Sequence, residues 1–197
     1  LLSSGMSFWH EIDDAVQCLA ENGCGELTIL QCTSDYPCLP ENAGLNVLDE
    51  LREKYPEHNI GYSDHTLGAA IPIAAVCKGA TVIEKHFTLS KNMYGSDAQF
   101  SSEPDEFKFL VDSIRAVEKG LQHHINKDEK ATSLTTMKKT FEKMIVAARD
   151  LPQGTIIQES DLAFKKPMEG VSAKEYQDLI GFKLSCAYKE NDSIRKN

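Results

Sequence analysis

Two short segments limit what this chain can fold into: Gly61-Tyr62-Ser63-Asp64-His65-Thr66 and Val82-Ile83-Glu84-Lys85-His86-Phe87-Thr88. Each continues a β-prone apolar run, Asn59-Ile60 in the first case and Ala80-Thr81-Val82-Ile83 in the second. Between them, Leu67 to Lys78 is rich in Ala and Ile at helical spacing, and Gly79 follows as a helix stop. Strand, helix, strand in so short a span requires two parallel neighbours joined by a right-handed crossover. His65 and His86 then lie just past the C-terminal ends of adjacent strands, where parallel α/β proteins carry their chemistry. Glu84 precedes His86 by two residues and so points the same way. Two imidazoles and a carboxylate in that arrangement can hold a divalent metal. Two histidines alone are more often merely packed or solvated, so the spacing leaves both readings open.

The remaining pattern repeats the same unit. Leu1 to Met6 reads as the end of a strand, and His10 to Ala20 as an amphipathic helix closing at Asn22-Gly23. Leu27 to Cys32 is a continuous β-prone run suited to a strand buried on both faces. Pro40 and Glu41 open a second helix with Leu45, Leu48 and Leu51 on one side. Glu103-Pro104 starts a last helix through Gly120, with Phe107, Leu110, Ile114 and Val117 as its stripe. Four strand–helix units make half of an eight-unit barrel, which needs about 250 residues. The expectation is therefore a fragment lacking the first half of its barrel, with a complete four-unit open sheet as the alternative.

Leu121 to Met137 is polar and reads as a linker, with His123-His124 solvated at its start. Beyond it, short apolar runs at Ile145–Ala148, Ile156-Ile157 and Leu162–Phe164 alternate with turn signals, and a short helix is expected over Ala173–Leu179. The expected division is 1–121 for the half barrel, 122–137 for the linker and 138–197 for a small β-rich domain. A net charge of −9 argues against a nucleic-acid surface, and no apolar run approaches a membrane span. The six cysteines, without Cys-x-x-Cys spacing or a signal peptide, read as reduced and mostly buried thiols, with the cytoplasm as the compartment.

The wording of the two histidine segments resembles the paired signatures of the sialic acid (nonulosonic acid) synthase family, whose members condense phosphoenolpyruvate with an N-acyl amino sugar. Ser3-Ser4-Gly5-Met6, Cys32-Thr33-Ser34-Asp35-Tyr36-Pro37, Gly95-Ser96-Asp97 and Ser102-Glu103-Pro104 agree with it in order and spacing. Ile145-Val146-Ala147-Ala148-Arg149-Asp150 and Ile180-Gly181 are similar to the family's C-terminal antifreeze-like domain. The resemblance implies an α/β fold: the C-terminal half of a (β/α)8 TIM barrel followed by a small β-rich antifreeze-like (SAF, β-clip) domain.

It further implies that His65 and His86 bind a divalent metal, Mn2+ or Mg2+, which polarises the open-chain aldehyde of the sugar. Glu84 is the group to handle a proton or orient the attacking water; its plain alternative is a strand-end carboxylate paired with a lysine. Ser3, Tyr36 and Ser63 are expected to donate to the phosphate or carboxylate of phosphoenolpyruvate, and Asp97 to accept from sugar hydroxyls. The chain departs from the pattern at Ser34, where the family often has Asn, and at Ala98, where a histidine usually follows the Asp. The sugar is accordingly N-acetylmannosamine or a 2,4-diacetamido hexose. The family works as a domain-swapped homodimer in which a basic residue of the C-terminal domain covers the partner's sugar. Lys166, in Phe164-Lys165-Lys166-Pro167, stands where the usual Arg would be. The competing readings are another phosphoenolpyruvate–aldose condensing barrel and a non-catalytic carbohydrate-binding fragment.

Overall fold

The computed structural model describes residues 1–166 and 169–195. The chain divides into two compact units, Leu1–His124 and Ile125–Asn197. The first is a four-stranded parallel sheet in the order β1 (Leu2–Ser3), β2 (Thr28–Cys32), β3 (Asn59–Asp64), β4 (Ile83–Lys85). Helices α1 (Trp9–Glu21), α2 (Val47–Lys54) and α3 (Ala70–Cys77) connect consecutive strands, and α4 (Pro104–Gln122) follows the last. Sequential order with a helix at every crossover is four consecutive βα units of a barrel wall.

Strand alternation sorts the side chains onto two faces. Ile29, Ile60 and Tyr62 turn toward the helices and pack with Ile12 of α1 and Leu48 and Leu51 of α2, forming the main core. The opposite face carries Leu30, Gly61 and, one register row on, Cys32, Ser63 and Glu84. Gly61 has no room for a side chain: a Cβ there would sit 2.4 Å from Leu30 Cδ2 and 2.8 Å from the Val82 carbonyl.

The helix expected to open at Pro40 is broken in two. Pro40–Asn42 forms a single 3-10 turn, and the α-helix starts only at Val47. Gly44 intervenes with φ +67, a left-handed conformation no helix can continue through. The thiols also differ from expectation, since Cys18, Cys24, Cys77 and Cys186 are exposed and only Cys38 is buried. Cys18, for one, lies on α1 away from Ile12, the helix's buried residue. All six are free.

The second unit begins in the stretch read as a linker, which carries α5 (Lys127–Ser133) and α6 (Thr135–Phe141). Asn126 caps α5, its side-chain oxygen accepting from the Asp128 and Glu129 amides. Strands β5 (Met144–Ala147) and β6 (Leu162–Lys165) pair antiparallel over a core of Ile145, Ala147, Leu151, Ile157, Leu162, Leu179, Leu184 and Ile194. Isolated bridges such as Val146↔Ser193 and Leu151↔Tyr188 close this unit, and a 3-10 helix spans Ala173–Leu179. Among the described residues no helix is long and apolar enough to cross a membrane.

Candidate active site

The end of β3 and the end of β4 bring the two histidine segments side by side. The rings of His65 and His86 meet edge to face with centroids 5.0 Å apart. His65 is held from several directions. Its Nδ1 lies 2.9 Å from the Thr33 carbonyl, and its own carbonyl accepts from the Cys38 amide at 2.9 Å. A carbonyl can only accept, so Nδ1 carries the proton of the neutral ring, which leaves the Nε2 lone pair free to bind an electrophile. The Cys32 thiol stands 3.8 Å from the same nitrogen. His86 is fixed through its backbone, its carbonyl accepting from Ser102 N at 2.8 Å. Its ring Nδ1 faces Asp97 Oδ2 across 3.9 Å.

Glu84 and Ser63 are register partners, and Ser63 Oγ donates to Glu84 Oε1 over 2.6 Å. The alternative of a lysine partner for Glu84 is therefore not what the fold provides; the hydroxyl of the adjacent strand takes that place. Tyr36 comes from the loop after β2 rather than from a strand end. Its ring lies 4.4 Å from that of His65 and 5.7 Å from that of His86, roofing both imidazoles. Loss of solvent raises the Tyr36 phenol above its ordinary value, and the neighbouring Cys32, Asp97 and Glu84 add to the shift. The group is thus a hydroxyl donor at neutral pH. Ser3 is exposed at the end of β1, where its Oγ accepts from the Gly5 amide at 3.4 Å.

His65, His86, Glu84, Ser63, Tyr36 and Asp97 therefore form one neighbourhood. Lys166 belongs to the second unit. It follows β6, and its Nζ lies 5.0 Å over the Phe141 ring. Pro167, the last residue of that segment, lies outside the described residues.

Sequence reasoning missed the polar cluster behind the histidines. Asp64 and Lys85 face the other way, as alternation demands. Lys85 Nζ lies 2.5 Å from Asp64 Oδ2, with the two side chains 4% and 0% exposed. The signal was present, since a charged residue next to each histidine of a buried strand needs a partner.

Among the described residues no three His, Cys, Asp or Glu side chains converge to hold a metal ion. The donor set is the imidazole pair, with the Thr33 contact leaving Nε2 of His65 as its unprotonated nitrogen. Two imidazole donors suit a divalent transition ion, which would have to take the rest of its shell from water and substrate oxygen.

Residues 1–126 match the model of the NeuB family, and residues 142–197 match that of the SAF domain. The sequence is 38% identical to N,N'-diacetyllegionaminic acid synthase of Campylobacter jejuni subsp. jejuni serotype O:2, over 100% of this chain and 58% of that protein. It is 33% identical to pseudaminic acid synthase of Campylobacter jejuni subsp. jejuni serotype O:23/36, over 100% of this chain and 56% of the relative. The crystal structure of N-acetylneuraminic acid synthetase from Leptospira borgpetersenii serovar Hardjo-bovis, in complex with citrate, matches with a TM-score of 0.60 at 33% identity. That match covers 71% of this chain and 49% of the other. The chain spans about half the length of the proteins it matches.

Proposed function

The chain belongs to the NeuB family, and on that premise we propose that it supplies part of a site condensing phosphoenolpyruvate with an N-acyl amino sugar to a nonulosonic acid and phosphate. The observation that carries the reading is the edge-to-face imidazole pair with the Ser63-bound Glu84 carboxylate on the same face of the sheet. Relatives named as legionaminic and pseudaminic acid synthases support the reaction class. The sugar is of the N-acetylmannosamine or 2,4-diacetamido hexose type.

In this reading His65 and His86 hold a divalent metal, Mn2+ before Mg2+ because imidazole nitrogen suits the former better. When bound, the ion supplies Lewis acidity to the sugar aldehyde. The residues of the chain do the rest. The Thr33 carbonyl keeps Nδ1 of His65 protonated, so that the ring presents Nε2. The methylene carbon of phosphoenolpyruvate bonds to the aldehyde carbon, and Glu84, its Oε1 occupied by Ser63, offers Oε2 to take a proton from the water that then adds at the phosphate-bearing carbon. Phosphate then leaves by C–O cleavage. Tyr36 donates its hydroxyl and shields the imidazoles from bulk water, while Ser3 lies at the rim within the anion's side of the face. Asp97 accepts from sugar hydroxyls and steadies His86. The division 1–121, 122–137 and 138–197 assigns the chemistry to the first segment. Lys166 of the last serves as a cationic cover for the sugar of a partner subunit in a swapped homodimer, working in the cytoplasm.

The test is made on the full-length protein, with phosphoenolpyruvate and each sugar offered in turn and product mass and phosphate release read together. His65→Ala and His86→Ala are expected to abolish turnover and retention of Mn2+ after dialysis while the fold survives. An alanine variant that retains stoichiometric Mn2+ and full activity sinks the assignment.

A further inference from the structure

Asp64 immediately precedes His65 and Lys85 immediately precedes His86. The two are register partners on β3 and β4 and turn to the side of the sheet away from the imidazoles. Their side chains form a closed polar knot. Lys85 Nζ donates to Asp64 Oδ2 at 2.5 Å and to the Thr66 carbonyl at 2.6 Å. Asp64 Oδ1 accepts from the Thr66 amide at 3.0 Å and from Thr66 Oγ1 at 2.8 Å. Thr66 is itself 1% exposed and bridges to Cys38, whose amide in turn holds the His65 carbonyl. Among the described residues no buried side-chain nitrogen or oxygen lacks a partner.

Stability alone does not account for this knot. Taking two charges out of water costs several kcal/mol each, and an apolar pair of similar volume is often as stable or more so. The positions before them on the same side, Tyr62 and Ile83, show that the sheet accepts apolar side chains there. What an ion pair adds over an apolar pair is directional geometry. It ties the end of β3, the end of β4 and the turn at Thr66 at three fixed distances. Each histidine is the next residue along.

We infer that Asp64 and Lys85 are positioning residues that hold His65 and His86 at their mutual distance and orientation, acting through Thr66 and the two backbones. The inference rests on the reading that the two imidazoles work as a pair. Supporting groups behind ligating histidines ordinarily shift metal affinity by about 10–100-fold when removed.

The experiment compares the full-length protein with the double variant Asp64→Leu/Lys85→Met and with Lys85→Met alone. Three readouts are taken: the thermal midpoint, titration with Mn2+ alone, and long-range 1H–15N spectra of the metal-free histidines. The double variant is expected to melt close to the parent. Its Mn2+ affinity is expected to fall at least tenfold, with the His65 and His86 ring resonances displaced. Lys85→Met alone, which strands a buried carboxylate, is expected to show the same displacement at a lower midpoint. A double variant with unmoved ring resonances and unchanged Mn2+ affinity overturns the inference. Should the double variant not fold, Lys85→Met alone decides, because it removes both lysine bonds, to Asp64 Oδ2 and to the Thr66 carbonyl; unmoved resonances there overturn the inference equally. If the parent binds no Mn2+, the metal reading fails, and the metal-free resonances alone decide on the pair.

Discussion

Ser63 and Glu84 face one another across β3 and β4 as register partners, hydroxyl to carboxylate at 2.6 Å. The bond fixes one carboxylate oxygen and leaves the other to the open side of the site. Glu84→Gln keeps an amide oxygen for the hydroxyl and removes the base. It is expected to lower kcat by about 10²–10⁴-fold, the usual worth of a positioned acid or base, with no change in melting temperature. Ser63→Ala frees the carboxylate and is expected to cost less than the base itself, since Glu84 can still act from a broader set of rotamers. Steady-state kinetics on both variants decide the ranking. A Glu84→Gln enzyme with parental kcat removes Glu84 from the chemistry.

How far the sequence went is clearest at these same strands. Alternation places Glu84 and His86 on one face from the sequence alone, because period two is fixed by backbone geometry. The short helix expected at Ala173–Leu179 is there as 3-10 turns, with a kink at Glu175 that the sequence did not announce. Tyr36 roofing both imidazoles was not, because a loop's path is set by tertiary contacts that no local pattern encodes. Nor were α5 and α6. Their residues lack a continuous apolar stripe, and periodicity is the signal that sequence reading depends on. The Asp64–Lys85 knot left only a charged residue beside each histidine as its signal, and the pairing of the two depends on the β3–β4 register, which no single segment encodes.

Asp161 anchors the second unit. Its Oδ1 accepts from Arg149 Nε at 3.0 Å and Nη2 at 2.6 Å, and its Oδ2 from the Gln158 amide at 3.0 Å, with the side chain 2% exposed. Asp161→Ala is expected to destabilise this unit by about 1.5–3 kcal/mol, the range for charge-assisted hydrogen bonds. Arg149→Ala is expected to cost at least as much, because it leaves the buried carboxylate with the Gln158 amide as its remaining partner here. Denaturant unfolding of the two variants checks the order. A smaller loss for Arg149→Ala would show that water reaches Asp161 freely.

Alkaline pH should loosen the first unit. Burial raises the phenol of Tyr62, whose hydroxyl donates to the Ala43 carbonyl at 3.2 Å. Burial likewise raises Tyr55, whose hydroxyl donates to Asp13 at 2.7 Å. A phenol with a raised value in the folded state contributes stability fully below its unfolded value of about 10 and loses it as pH rises further. The unfolding midpoint is therefore expected to hold flat from pH 7 to about 9 and to fall from about pH 10 upward. Tyr62→Phe, which cannot ionise, should flatten that fall. An equal slope in the variant would assign the loss to other groups.

Lys166 and Phe141 offer a test by opposite signs. Lys166 Nζ rests 5.0 Å over the Phe141 ring, both within the second unit. If Lys166 covers a sugar in the swapped dimer, it must exchange that ring for the ligand's oxygens. Lys166→Ala then removes a charge-assisted contact worth about 1–3 kcal/mol, and KM for the sugar rises while KM for phosphoenolpyruvate stays put. Lysine lacks the planar fork of an arginine, so the lower half of that range is expected. Phe141→Ala acts the other way. It deletes the competing resting contact, worth about 0.5–1 kcal/mol at an exposed site, and should lower KM for the sugar by a few-fold. Phe141 is itself exposed, so its loss leaves the core of the unit untouched. Kinetics of the two single variants, with each substrate varied at saturating concentrations of the other, read both signs at once. Sugar KM values that move together, or do not move, would mean that the lysine and the ring are surface neighbours with no part in covering the substrate.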